Sequence, residues 1–103
     1  MNTGSWSGEF SVPVDHPCLA GHFPGQPIVP AVLILDLSCE LLHKLHPGLG
    51  PLREVRNAKF TRPVRPGEMV RVSAAAAGGL LRLSCHTAEG LAVQAQLLFG
   101  AAT

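Results

Sequence analysis

The chain has 103 residues, a formal net charge of +1, and hydrophobic and charged fractions of 47% and 15%. That predicts one domain over residues 1–103 with one core, since a fold of this size buries roughly 60 to 70% of its extended-chain surface, and so apolar a composition predicts that part of the surface lies against another subunit. A near-neutral balance argues against nucleic acid, no apolar run reaches the roughly 18 to 20 residues of a membrane span, and Met1 to Trp6 lacks the basic and apolar regions of a signal peptide, so a cytoplasmic protein is expected.

Phe10, Val12 and Val14 alternate with Glu9, Ser11 and Pro13, which predicts a first strand, and Pro13 confines it to a sheet edge. A loop rich in proline and glycine follows from Asp15 to Val29. The apolar segment from Pro30 to about Leu45 predicts the one helix. Its Val32, Leu33, Ile34, Leu35, Leu37, Leu41, Leu42 and Leu45 extend around much of the circumference, so a sheet wrapped about it is expected. His46-Pro47-Gly48-Leu49-Gly50-Pro51 ends it. Val55 to Val64 reads as the second strand. The turn Arg65-Pro66-Gly67-Glu68 leads to a third, with Val70, Val72, Ala74 and Ala76 on one face. Gly78-Gly79 signals a hairpin into Leu81, Leu83 and Cys85, and Glu89-Gly90 a turn into Leu91, Val93, Ala95, Leu97 and Phe99. This order of elements predicts an α+β fold, one antiparallel sheet curled around a central helix.

Two residues stand out as candidates for chemistry. His22 lies in a loop constrained by Pro24, Gly25, Pro27 and Pro30, which aims a side chain. Asp36 lies on an otherwise apolar helix, where a buried acid needs a partner or a purpose. Glu40, one turn beyond Asp36, reads either as a second polar group beside it or as a partner for Lys44. His43 and His46 read as favourable charges at the helix C-terminus or as surface residues. His16, Cys18 and His22 lack a fourth ligand, so neither a metal nor another cofactor is expected. Cys18, Cys39 and Cys85 have no CxxC spacing and read as reduced thiols in or near the core. Arg53, Arg56, Lys59, Arg62, Arg65 and Arg71 stand against only Glu54 and Glu68. That stretch is either a solvated strand face or a docking patch for an acidic partner, and without aromatic residues to stack bases it is a poor nucleic-acid surface.

The run Gly21-His22-Phe23-Pro24-Gly25-Gln26-Pro27-Ile28-Val29-Pro30, leading into Val32-Leu33 and an acid, resembles the hot-dog 3-hydroxyacyl-acyl-carrier-protein dehydratases of the FabA/FabZ type. A second block, Lys59-Phe60-Thr61-Arg62-Pro63-Val64-Arg65-Pro66-Gly67-Glu68, is similar to that family's Lys-Phe-x-x-Pro-Val-x-Pro-Gly-Asp segment. Together they cover residues 15 to 69. The resemblance implies the hot-dog fold, catalysis by His22 and Asp36, and substrate binding by Phe23, Gly25, Pro30 and Ala31. It also implies an acyl carrier protein as partner, presenting the substrate on its phosphopantetheine arm, and a homodimer or larger homo-oligomer in which His22 and Asp36 of different subunits meet. Three positions depart from the commonest pattern. Asp36 matches the aspartate of one branch and not the glutamate of the other, Pro30-Ala31 stands where Pro-Gly is usual, and Glu40 stands where glutamine is common. Within the family the chain looks most similar to short stand-alone dehydratases of aryl-polyene or pigment biosynthesis.

The implied chemistry suits these residue types. Eliminating water from a 3-hydroxyacyl thioester removes a proton from C2 and hydroxide from C3, while negative charge builds on the thioester carbonyl. An imidazole such as His22 can accept the C2 proton. Asp36, if surrounded by apolar side chains, would favour its protonated form and could deliver or orient the proton that leaves with the hydroxyl. The N–H of Ala31, in the first helical turn, can hold the carbonyl oxygen, and alanine keeps that N–H while adding a methyl group. Two rivals use the same fold: a thioesterase in which the helix acid activates water, and an acyl-binding subunit without catalysis, for which the alanine is the argument.

Overall fold

A computed structural model describes residues 4–16 and 28–100. Its elements are β1 (Ser5–Phe10), α1 (Ala31–Leu45), β2 (Leu52–Phe60), β3 (Val70–Ala77), β4 (Leu80–Thr87) and β5 (Gly90–Phe99). The five strands form one sheet in the order β1-β3-β4-β5-β2, with every neighbouring pair antiparallel. This is the α+β arrangement expected from the order of elements.

Register shows why α1 lies where it does. Gly8, Val72, Cys85 and Val93 sit opposite one another across four strands, and so do Trp6, Ala74, Leu83 and Ala95. Residues in such rows share a face, because side chains alternate along a strand. The rows are apolar and largely buried, and Ile34, Ser38, Cys39 and Leu42 of α1 are buried with them. Spacings of four residues put Ile34, Ser38 and Leu42 on a single stripe. Ser38 is the polar member of that stripe. Its hydroxyl donates to the Ile34 carbonyl at 2.7 Å and lies 3.5 Å from Cys85 Sγ, so this buried hydroxyl is paired.

Two expectations need correction. The first strand runs from Ser5 to Phe10, not through Val14. Its inward residues are Trp6, Gly8 and Phe10, and the pattern is hidden in the sequence because the middle one is glycine. A Cβ on Gly8 would lie 2.9 Å from Leu41 Cδ2, so the helix crosses the strand too closely for a side chain there. Beyond Phe10, Pro13 has no N–H to donate, and Val12 instead accepts a hydrogen bond from the Gly67 N–H at 2.7 Å. The predicted edge position holds all the same, as β1 ends the sheet.

The second strand is Leu52–Phe60, not Val55–Val64, and its pairing with β5 shifts register between Arg56 and Lys59, where Asn57 has φ of 51°. A bulge of this kind erases alternation from the sequence. The Thr61 N–H donates to Ala92 O and the strand then ends, Pro63 being unable to extend the ladder.

The sheet curls over the helix as expected but leaves part of its start and of β2 uncovered. Val32 is 78% exposed. By register Val55 and Phe60 belong to the inward face of the sheet, opposite Leu97 and Val93, but both remain exposed because α1 does not reach beneath β2. The other strand boundaries follow the predicted turns, although Ala76 is exposed and Ala92 is buried in β5.

Leu42→Ala should destabilise the protein by about 2–5 kcal/mol, because it empties a fully buried site on the central stripe. A drop in the urea unfolding midpoint at unchanged m-value checks this.

Candidate functional site

The two sequence blocks, far apart in the chain, meet at the start of α1. The Val29 N–H donates to the Val64 carbonyl at 2.7 Å, and both residues are buried. Thr61 anchors the second block to the sheet, its hydroxyl donating to Leu91 O at 2.9 Å. Ile28, Val29, Pro30, Ala31 and Ile34 thus face Phe60, Arg62, Pro63 and Val64 across a cleft of about 260 Å³.

Pro30 is the residue before the helix, with φ −59° and ψ 141°. A fixed φ and a missing N–H suit it to that place. Its carbonyl accepts from the N–H groups of Leu33 and Ile34 at 3.0 and 3.2 Å. No side chain caps this end, the first turn carries no acid, and among the described residues the N–H groups of Ala31 and Val32 have no partner. Two free donors at the positive end of a 15-residue helix form a place for an oxygen that gains negative charge.

From this end a groove of about 630 Å³ runs along α1. One wall is the helix face carrying Val32, Leu33, Leu35, Asp36, Cys39, Glu40 and His43, and the other is Leu52 and Val55 of β2. It is the space left by the uncovered inward side of β2. Asp36 lies about 7–8 Å along the helix axis from Ala31, at 1.5 Å per residue. The reading of Asp36 as a carboxyl surrounded by apolar side chains is corrected, since in the chain by itself its side chain is exposed on the groove side. Its charge still reaches the interior. The Cys39 thiol is pushed up to about 11, by burial first, then by Asp36 and by Cys85. Burial also raises Cys85, partly offset by its contact with Ser38. Both cysteines are free and buried, as expected.

Glu40 lines the groove with Asp36 and forms no ion pair with Lys44, so the first of its two readings holds. Among the described residues the ion pair that forms is Arg56 with Glu54, at 2.7 Å. It lowers the Glu54 carboxyl and raises the Arg56 guanidinium. Glu68 accepts from the Arg65 backbone N–H at 2.7 Å, stabilising the turn in place of pairing with an arginine side chain. Arg53, Lys59, Arg62, Arg65 and Arg71 therefore keep exposed cationic heads. His43 is no mere surface charge, because both its ring nitrogens contact backbone carbonyls. The turn signals after the helix pointed to a chain reversal there without showing which carbonyl the reversal would present. His22, Phe23, Gly25 and Cys18 lie outside the described residues, whereas Pro30, Ala31 and Asp36 lie within them: Ala31 lines the cleft at the helix start, Asp36 the groove along α1, and Pro30 both.

Over residues 1–95 the chain matches the sequence model of the ApeI-like family, described as ApeI dehydratase. The 3-hydroxyacyl-[acyl-carrier-protein] dehydratase FabZ of Pasteurella multocida is 38% identical over 68 residues, which are 58% of this chain and 45% of that protein. The chain spans about half the length of the curated relatives it matches. Among solved structures, the dehydratase heterocomplex ApeI:P from Xenorhabdus doucetiae aligns with a TM-score of 0.79 at 21% identity, covering 92% of this chain and 86% of that one. An uncharacterized protein from Erwinia carotovora subsp. atroseptica gives 0.81 at 27%, covering 96% and 85%. The sheet with a single helix is the hot-dog fold of these neighbours.

The Cys39 thiol beside Asp36 provides a check on the groove's electrostatics. The unfolded thiol ionises near 9.0 and the folded one near 11. Below the lower value both states keep the proton, and above it the unfolded state loses its proton first, so stability should fall as pH rises through that window. The chain has no tyrosine to obscure the effect. Denaturation midpoints measured between pH 8.5 and 11, windows set by ordinary thiol titration at roughly 8.5 and above, should decline less steeply in Cys39→Ala than in the wild type.

Proposed function

The chain belongs to the ApeI-like dehydratase family, and from that premise we propose that it eliminates water from a 3-hydroxyacyl thioester held on an acyl carrier protein, giving the trans-2-enoyl thioester. The observation that carries this reading is the position of the Asp36 carboxyl in an apolar groove, about one and a half helical turns beyond the unpartnered N–H groups at the start of α1. The thioester carbonyl is held by the Ala31 N–H, which alanine retains as fully as glycine would. C3 then lies toward Asp36, which donates or directs the proton that leaves with the hydroxyl. His22 removes the C2 proton, and Phe23 and Gly25 contribute to binding the substrate.

The groove also supports a homodimer. Val32, Leu52 and Val55 expose apolar surface in the groove beside Asp36, Phe60 exposes more in the cleft at the helix start, and a second copy laid over this side would supply its His22 to the site and withdraw the carboxyl from water. The unpaired arginines and Lys59 are a docking surface for the acidic carrier protein, which would bring the phosphopantetheine arm to the cleft beside Arg62. The protein works without a cofactor, in the cytoplasm. Among the described residues no helix is long and apolar enough to cross a membrane.

Purified protein incubated with 3-hydroxyacyl carrier-protein thioesters should produce species lighter by one water in the mass spectrum. Release of free thiol instead would indicate a thioesterase, and binding without turnover an acyl-binding subunit. His22→Ala and Asp36→Ala should each lower the rate by about 10²- to 10⁴-fold, the usual worth of a general acid or base. Wild-type rates in a folded variant would remove that residue from the mechanism.

A shared site makes a further prediction. When the inactive His22→Ala and Asp36→Ala chains are co-expressed and heterodimers isolated, one of the two sites should hold both residues, and activity should approach half that of the wild type by simple counting of intact sites. Heterodimers without activity would show that the pair belongs to a single subunit.

A further inference from the structure

His43 occupies the end of the groove remote from the free helix N–H groups, and its ring bridges two parts of the chain. Nδ1 is 2.9 Å from the Cys39 carbonyl, one turn earlier in the same helix. Nε2 is 2.8 Å from the carbonyl of Gly50, which is buried and lies two residues before β2. The ring also stands edge-on to Phe99 near the end of β5, with centroids 5.5 Å apart and planes at 83°. Carbonyl oxygens only accept, so each contact is a hydrogen bond when its nitrogen carries the proton. The two contacts do different work. The contact with Cys39 is internal to α1. The contact with Gly50 crosses from α1 to the chain entering β2, and among the described residues it is the one side-chain hydrogen bond that does so.

This crossing matters because of what lies on either side of it. Asp36 and Cys39 project from the helix into the groove, and Leu52 and Val55 project from β2 across it. As an edge strand, β2 is hydrogen-bonded along its length to β5 alone, and its near end is further tied by the Gly100 N–H donating to Pro51 O at 2.7 Å. Those bonds position β2 within the sheet and do not set its distance from the helix. We propose that His43 is a positioning residue whose Nε2–H bond to Gly50 sets the spacing between α1 and β2, and with it the fit of the acyl chain against Leu52 and Val55 beside Asp36. The inference rests on the dehydratase reading for its substrate but not for its structural content.

Asparagine and glutamine separate the two bonds. An asparagine amide reaches about as far as Nδ1 and can keep only the local contact, whereas the longer glutamine can place its amide N–H near Nε2 and keep the bond to Gly50. In steady-state kinetics on a 3-hydroxyacyl thioester, His43→Asn should raise KM by about three- to tenfold, the worth of one hydrogen bond, with kcat changed less than about twofold. His43→Gln should stay within about twofold of wild type in both. Hydrogen exchange gives the readout that does not need turnover: amides of residues 50 to 55 should exchange faster in His43→Asn and at the wild-type rate in His43→Gln. Equal behaviour of the two variants in exchange and kinetics would overturn the proposal, as would a fall in kcat at constant KM. An inactive wild type would refute the dehydratase reading, and the exchange comparison would still decide the clamp. If His43→Asn does not fold, His43→Gln decides alone: wild-type exchange at residues 50 to 55 supports the crossing bond, and faster exchange there refutes it.

Discussion

The arrangement depends on how a helix that is apolar around most of its circumference meets a sheet that can cover only one side of it. The covered stripe is Ile34, Ser38 and Leu42, and its central residue is small. Ser38 has no long side chain to hold the helix away from Cys85, and its hydroxyl is satisfied within the helix, so close approach leaves no polar group stranded. Gly8 serves the same end on β1, where a Cβ would meet Leu41. Seated this way, α1 rests over β1, β3 and β4, and the inward side of β2 is left uncovered. The groove is the consequence of that offset.

Once the groove exists, its chemistry follows from the helix. Its N-terminal end is held against the second sequence block by the bond from Val29 to Val64, and its first N–H groups are left without partners. Helix periodicity then places Asp36, Cys39, Glu40 and His43 in succession along one face. Each meets a different environment: Asp36 and Glu40 are open to solvent, Cys39 is buried with a raised thiol, and His43 is locked between two carbonyls. A single face therefore offers an acid beside apolar walls and a rigid anchor farther along.

The same offset accounts for the composition. A small domain with few charges leaves apolar surface over, and here Val32, Leu52 and Val55 expose it in the groove that holds Asp36, while Val14 and Met69 expose it elsewhere. The cations lie elsewhere on the chain's second block and on β2 and β3, exposed and mostly unpaired. A face for apolar burial and a basic stretch thus coexist on one domain of 103 residues.

The sequence alone determined the class of fold, the extent of the helix, the three C-terminal strands and the family, because each has a local signature: period two in Val70 to Ala74 and Leu81 to Cys85, proline at the helix start, glycine pairs at turns, and two motif blocks. It located Pro30, Ala31 and Asp36, which line two cavities that meet at Pro30. Only the tertiary structure decided the position of β1, whose inward pattern is interrupted by Gly8, and the limits of β2, whose alternation is broken by the bulge at Asn57. It alone decided that Asp36 faces an open groove and that His43 bonds to Gly50. Those outcomes depend on which side of α1 the sheet covers and on where a loop returns after the helix, and both are set by packing between residues distant in sequence, which no local pattern records.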